Sequence, residues 1–250
     1  MKLSNIIAPL LATGAAAAAV LRPRQTESKP VYFVLAGDST TAVNGGWGDG
    51  FLENTLLAPA AGINLGHSGA TTVSFRAGGD WANVLDEIES HTATHEVFVT
   101  IQFGHNDQKA DKNISIPDYA TNLRAFAEEV TSALATPILV TSLTRRTFKN
   151  GSVVENLSNE RAATIEVAED LGVGFIDLNK ASTDYVNAIG SSAADYYNLA
   201  AGDRTHLNGW GGVVFGRMVS DLLVEKFEDV KAWTVPNATL SEQIRDGVAA

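Results

Sequence analysis

The sequence predicts an α/β domain built on a parallel β-sheet with helices packed on both of its faces. Three observations lead there. Short apolar runs rich in β-branched and aromatic residues recur along the chain and suit strands buried on both faces. Longer stretches with helical spacing separate them. The chain has 250 residues, of which 45% are hydrophobic and 19% charged, enough to fill one large core without an internal repeat or a long linker.

The elements follow in order. Residues 31–36 form a continuous apolar run and predict the first strand. A Gly-rich turn then leads into a helical stretch over residues 47–57, followed by a short strand at 63–65 and a helix at 81–89 with apolar residues at helical spacing. Residues 96–103 contain Val-Phe-Val-Thr-Ile-Gln-Phe and predict the third strand. Pro117 stands where a helix start favours proline, and the pattern runs to Leu134. Strands at 137–141 and 173–178 flank a helix at 156–171, and the last long helix spans 208–227. Residues after Trp233 are expected to form a loosely held tail.

The N-terminus carries the marks of a targeting segment. Lys2 precedes an apolar stretch over residues 6–20 that ends in alanines, and Leu21-Arg22-Pro23-Arg24 resembles a short pro-segment. Residues 1–24 are therefore expected to be removed, leaving 25–250 as one domain. The competing reading, a membrane anchor, is disfavoured because the stretch is shorter than the ~20 residues a spanning helix needs. Sequons at Asn113, Asn150, Asn156 and Asn237 fit a secreted, extracellular glycoprotein. The chain has no cysteine, which excludes thiol catalysis and thiolate metal sites. Its formal charge is -11 with no basic cluster after the first thirty residues, so no nucleic-acid partner is expected. A monomer without stable membrane association is the expected state.

The chemistry concentrates in four short segments. A serine hydroxyl is a poor nucleophile unless a base takes its proton, and the base needs a carboxylate to fix its tautomer. Ser39 in Gly37-Asp38-Ser39-Thr40 follows the first strand directly, and Asp203 and His206 are spaced so that the carboxylate reaches the near ring nitrogen. A strand-to-helix turn at Ser39 would also aim the N–H groups of the helix start at an anion. Gly69 and Asn106 follow the second and third strands and are suited to donating hydrogen bonds to an oxyanion. Each has a plainer alternative. Ser39 could cap a helix, Asp203 and His206 could form a surface contact, Gly69 could be an ordinary loop glycine, and Asn106 could form a turn with Asp107. The convergence of three strand ends on one sheet edge favours the catalytic reading, because sites collect beyond the carboxyl ends of parallel strands. Asp38 is expected to order the turn, His105 to be structural and His67 to line the pocket. His91 and His95 are a weak metal candidate, and no metal or other cofactor is expected.

These four segments, Gly37-Asp38-Ser39-Thr40, Asn64 to Gly69, Gly104-His105-Asn106-Asp107 and Asp203-Arg204-Thr205-His206, resemble in order those of the SGNH, or GDSL-type, hydrolase superfamily. The stretch Asn44-Gly45-Gly46-Trp47-Gly48 and Thr205-His206 before Asn208 and Gly209 are similar, more narrowly, to fungal rhamnogalacturonan acetylesterases. The resemblance implies a three-layer α/β/α sandwich, flavodoxin-like, with about five parallel strands. It implies Ser39 as nucleophile, His206 as base, Asp203 as its orienter, and an oxyanion hole from Ser39, Gly69 and Asn106. It implies an acetylated pectin backbone as substrate and no cofactor. Two other readings stay open at this point: an esterase of the same superfamily on acetylated xylan or lipid esters, and a non-catalytic carbohydrate-binding protein on the same fold.

Overall fold

The computed structural model describes residues 29–250; the targeting segment expected over residues 1–24 lies outside the described residues. In chain order the first elements are β1 (Val31–Gly37), α1 (Gly48–Thr55), β2 (Ala61–Asn64), α2 (Thr72–Ala77), α3 (Asp80–His91), β3 (Glu96–Gln102), α4 (Ile116–Ser132) and β4 (Thr136–Val140). A small hairpin follows, β5 (Phe148–Lys149) and β6 (Ser152–Val153), then α5 (Ser158–Leu171), β7 (Gly174–Ile176), α6 (Leu178–Ala194), α7 (Gly209–Lys226), α8 (Glu228–Lys231) and α9 (Ala238–Arg245).

Five strands form one parallel sheet in the order β2-β1-β3-β4-β7. β1 lies between β2 and β3, paired along its whole length with β3 from Val31 opposite Glu96 to Gly37 opposite Gln102. Successive side chains of a strand point to opposite faces, and β1 divides accordingly. Val31, Phe33 and Leu35 enter a core with Trp47, Phe51, Tyr185, Val214 and Phe215 from α1, α6 and α7. Tyr32, Val34 and Ala36 enter a second core with Phe75, Trp81, Tyr119, Phe126 and Val167 from α2 to α5. The result is the three-layer α/β/α sandwich, with each predicted strand present within a few residues. Among the described residues no helix is long and apolar enough to cross a membrane.

Two features depart from the sequence expectation. The region before residue 208 contains α6, which the sequence pattern did not reveal, and the last strand stops at Ile176 because Asp177 caps that helix through Lys180 N–H. The segment after Trp233 is not loose. Leu57 N–H donates to Trp233 O at 2.8 Å and Val235 N–H to Thr55 O at 2.8 Å. Leu240 of α9 is buried in the α7-side core, and Ala250 N–H reaches the Tyr185 and Tyr197 hydroxyls, both at 3.2 Å. The apolar side chain of Leu240 and these tyrosines provide partners that hydropathy alone does not show.

α1 and α7 meet backbone to backbone. A Cβ added at Gly216 would stand 2.6 Å from the Gly50 carbonyl carbon and closer still to Phe51 N, and one at Gly50 would stand 2.8 Å from Val213 N. No side chain fits there, so glycine sets the distance between the helix after the serine turn and the helix after the Asp–His turn.

Candidate active site

At the carboxyl edge of the sheet β1 gives way to a tight turn. Asp38 N–H donates to Gln102 O at 3.3 Å, tying the turn to β3. The Asp38 carboxylate then accepts Thr40 N–H and the Thr40 hydroxyl, both at 2.8 Å, and Asp38 O accepts the N–H groups of Thr41 and Ala42. Asp38 orders the turn, as its position suggested, and Gln102 braces it by donating to Thr40 Oγ1 and accepting Trp47 Nε1–H at 2.9 Å. Ser39 is not a helix cap: Trp47 occupies that position in α1. The expectation that the helix start aims its N–H groups at the site also fails. Trp47 N–H and Gly48 N–H are consumed by Thr40 O and Thr41 O.

The base arrives from the far end of the chain. Ser39 Oγ and His206 Nε2 are 2.9 Å apart, and His206 Nδ1 lies 2.9 Å from Asp203 Oδ2. Asp203 Oδ1 accepts the N–H groups of Thr205 at 3.1 Å and His206 at 3.0 Å. Burial opposes ionisation of Asp203, but these bonds and the His206 ring outweigh it and hold the carboxyl below its ordinary value. An ionised Asp203 fixes Nδ1 as the protonated nitrogen and leaves Nε2 free to accept the serine proton. The loop is anchored by Arg146, a fully buried side chain in the segment between β4 and β5. It donates to His206 O at 2.6 Å and to Asn198 Oδ1 at 2.8 Å, and its own N–H meets Arg204 O at 2.8 Å. Burial pushes the guanidinium down to about 10, against the pull of Asp203 and Asp195.

The two other strand ends supply donors. Asn106 is buried, donates from Nδ2 to Ala70 O at 2.9 Å and accepts Lys109 Nζ at 2.7 Å on Oδ1. This contact brings the Asn106 segment against the Gly69 segment. Asp107 strengthens the link by accepting Thr72 N–H at 2.9 Å and the Thr72 hydroxyl at 2.7 Å. Among the described residues the N–H groups of Ser39 and Gly69 meet no backbone acceptor, and one Nδ2 hydrogen of Asn106 is uncommitted. Glycine at position 69 is explained by its φ of +82°, since a Cβ there would meet nothing within 4 Å. The backbone conformation there is one that glycine adopts without strain.

Beneath this surface lies a buried set of ionisable groups. Asp38 Oδ2 faces His105 Nδ1 at 3.6 Å. Burial opposes ionisation of Asp38, but His105 and the Thr40 donors hold its carboxyl down. Burial pushes Asp107 and Glu160 up. Arg145 links the His206 loop to the Asn106 turn, donating to Thr205 Oγ1 at 3.2 Å and to His105 O at 3.3 Å. Neither Arg145, Arg146 nor Lys109 has a sequence motif that would have singled it out; the one hint is the charged pair Arg145-Arg146 a few residues past an apolar strand.

The remaining candidates lie elsewhere or play other parts. His105 is buried, as a structural residue should be. His67 is exposed and held by Asp80 at 2.8 Å. His91 stacks on Tyr32 with ring centroids 3.6 Å apart, at the amino edge of the sheet and away from the serine. Among the described residues no three His, Cys, Asp or Glu side chains converge to hold a metal ion. Asn113, Asn150, Asn156 and Asn237 are all exposed; Asn237 also caps α9, and Asn156 Oδ1 accepts Arg145 Nη1–H at 3.3 Å.

Comparison with known proteins finds similar sequences and similar folds. The sequence profile described as the GDSL-like Lipase/Acylhydrolase family matches residues 35–212. The chain is 29% identical over 221 residues to rhamnogalacturonan acetylesterase RhgT from Bacillus subtilis (strain 168), covering 79% of this chain and 91% of that protein. Among solved structures, the protein YxiM from Bacillus subtilis superposes over 79% of this chain with a TM-score of 0.67 at 23% identity, and this chain spans 56% of that one. A variant of Axe2, an acetyl-xylooligosaccharide esterase from Geobacillus stearothermophilus, superposes over 78% of this chain and 95% of its own with a TM-score of 0.58 at 17% identity. At these identities the two structures share the fold.

Proposed function

Because the chain belongs to the GDSL-like lipase/acylhydrolase family and is a carboxylic ester hydrolase, we propose that it removes acetyl groups from the rhamnogalacturonan backbone of pectin through an acyl-enzyme on Ser39. The observation that carries this reading is the hydrogen-bonded chain Asp203–His206–Ser39 with 2.9 Å links on both sides of the imidazole. Ser39 Oγ attacks the acetyl carbonyl carbon and passes its proton to His206 Nε2. The carbonyl oxygen becomes an oxyanion, received by the N–H groups of Ser39 and Gly69 and by Asn106 Nδ2–H. Collapse of the tetrahedral intermediate breaks the bond to the sugar oxygen, which takes the proton back from Nε2. Water, deprotonated by the same nitrogen, then attacks the acetyl-serine and releases acetate.

The polysaccharide assignment draws on the relative named as a rhamnogalacturonan acetylesterase, which matches this chain over most of both lengths. The surroundings of the serine are compatible with a polymer. Tyr196 and Trp210 are exposed beside the His206 loop, where Asn208 Nδ2 donates to Tyr196 O, and flat aromatic faces suit sugar rings. Secretion and glycosylation belong to the same proposal, supported by the N-terminal sequence pattern and by the exposure of the four sequons.

The test is acetate release from acetylated rhamnogalacturonan, acetylated xylan and a small chromogenic acetate, by the wild type and Ser39→Ala. The wild type should release acetate fastest from rhamnogalacturonan, and Ser39→Ala should release none while melting normally. Wild-type turnover in Ser39→Ala would end the serine mechanism. A higher rate on xylan would move the substrate to that polymer.

A further inference from the structure

Asn106 has two polar neighbours of opposite kind, and together they leave its amide one orientation. Nδ2 donates to the Ala70 carbonyl at 2.9 Å, and Oδ1 accepts the Lys109 ammonium at 2.7 Å. Rotating the amide by half a turn would set oxygen against oxygen and N–H against ammonium. Lys109 reaches this position because its own N–H donates to Asn106 O at 3.1 Å, closing a turn that folds the lysine back on the asparagine. Lys109 is an exposed residue, and an exposed lysine normally keeps its rotamer freedom or pairs with a carboxylate. Lys112 and Lys180 pair in that way, with Asp111 and Asp184. Among the described residues Lys109 has no such partner and is held instead on a neutral, buried amide oxygen.

We propose that Lys109 is a positioning residue for the oxyanion donor: its ammonium fixes the Asn106 amide so that the free Nδ2 hydrogen faces the developing charge, and polarises that amide into a stronger donor. A charge on Oδ1 draws electron density through the amide toward oxygen, leaving the N–H groups more positive. The benefit appears only as the carbonyl oxygen becomes an anion, so it belongs to turnover and not to ground-state affinity. This inference rests on the reading of Asn106 as an oxyanion donor.

Steady-state kinetics on a small acetate ester test it, since that substrate carries no carboxylate for a lysine to bind. Lys109→Met should lower kcat about tenfold with KM within about twofold. Lys109→Arg, which keeps a charged donor, should recover kcat to within about threefold of wild type. In an Asn106→Ala background Lys109→Met should change kcat by less than about twofold, because the two act through one group. Unchanged kcat in Lys109→Met, or a full independent loss in the double variant, overturns the proposal. So does an effect confined to KM on an acidic polysaccharide, which would make Lys109 a carboxylate subsite. A second readout does not depend on turnover. The side-chain amide resonances of Asn106, identified by their loss in Asn106→Ala, should shift in Lys109→Met, and unmoved resonances overturn the proposal. If the wild type fails on every acetate ester, the functional reading falls while this spectrum still decides the contact.

Discussion

Replacing Gly216 by alanine separates two effects that usually run together. In a helix interior, glycine to alanine stabilises by about 0.5–1 kcal/mol. Here the new Cβ would stand 2.6 Å from the Gly50 carbonyl carbon, and the atoms it meets are backbone, which cannot swing away. Non-bonded carbons prefer about 3.5–4.0 Å, so α7 must withdraw from α1 by about 1 Å. Overpacking of this kind costs about 1–3 kcal/mol and outweighs the helix preference. The melting temperature should therefore fall by about 2–6 °C for a domain of this size. The functional loss should be larger than the stability loss suggests. α1 follows the Ser39 turn and α7 follows the His206 loop, so the same separation stretches the 2.9 Å serine–histidine bond past hydrogen-bonding length. Misplacement of about 1 Å can lower kcat about 10²-fold. Thermal melting and steady-state kinetics on a small acetate ester, measured on the same preparation, check both. A Gly216→Ala variant that melts higher than wild type with unchanged kcat would refute the idea that this glycine contact sets the catalytic distance.

Four further outcomes follow from the site. Arg146→Met removes a buried charge that burial holds well below the ordinary guanidinium range, at about 10, a cost of about 3 kcal/mol, but it strands the His206 and Asn198 acceptors at about 1–3 kcal/mol each. Stability should thus change little while kcat falls about tenfold or more, and a variant that lost stability but kept its kcat per folded molecule would contradict this. Asn106→Ala should lower kcat by about 10²–10³-fold with a much smaller change in KM, a split that steady-state kinetics reads directly. Asp203→Asn turns an N–H toward His206 Nδ1 and favours the wrong tautomer, so kcat should fall by up to about 10⁴-fold with the fold retained by circular dichroism. Asp177 is buried in part, yet its bonds to Arg161, Thr141 and Lys180 N–H hold its carboxyl below the ordinary 3.8. A depressed carboxyl contributes stability that is present above its ordinary value and lost as pH falls through the lower one. Asp177→Asn should therefore flatten the fall in melting temperature below about pH 4, and an unchanged slope would remove Asp177 from the acid transition.

The strands were legible because a sheet covered on both faces demands apolar residues at every position, as in Val31 to Ala36. The serine, asparagine and histidine were legible because each stands next to a strand end or in a short spacing with chemical meaning. α6 was hidden because its inward face carries Asn179, Ser182 and Thr183; Asn179 Nδ2 donates to Ser142 O, and Ser182 Oγ donates to Leu178 O and accepts Thr144 N–H, in place of apolar packing. Polar residues on the buried side erase the amphipathic signal on which a helix assignment depends. α2, six residues long, is too short to show a period. Lys109, Arg145 and Arg146 act through backbone carbonyls, side-chain amides and a hydroxyl, and such partners leave no pattern in a sequence. The C-terminal segment looked loose because its fastening comes from Tyr185, Tyr197 and Trp210, distant residues whose hydroxyls and indole N–H reach Ala250.

The sequence separation of 167 between Ser39 and His206 also sets an order of events during synthesis. The last strand of the sheet ends at Ile176, so a chain emerging from the ribosome holds the nucleophile, both strand-end donors and the whole sheet before the base has been made. Residue 206 becomes useful only when α7 closes on the glycines of α1 and Arg146 grips the His206 carbonyl. Hydrolytic competence therefore switches on at the final docking step. In refolding, ester turnover should lag behind the far-ultraviolet signal of the sheet and helices, and the length of that lag times the closure of the last long helix.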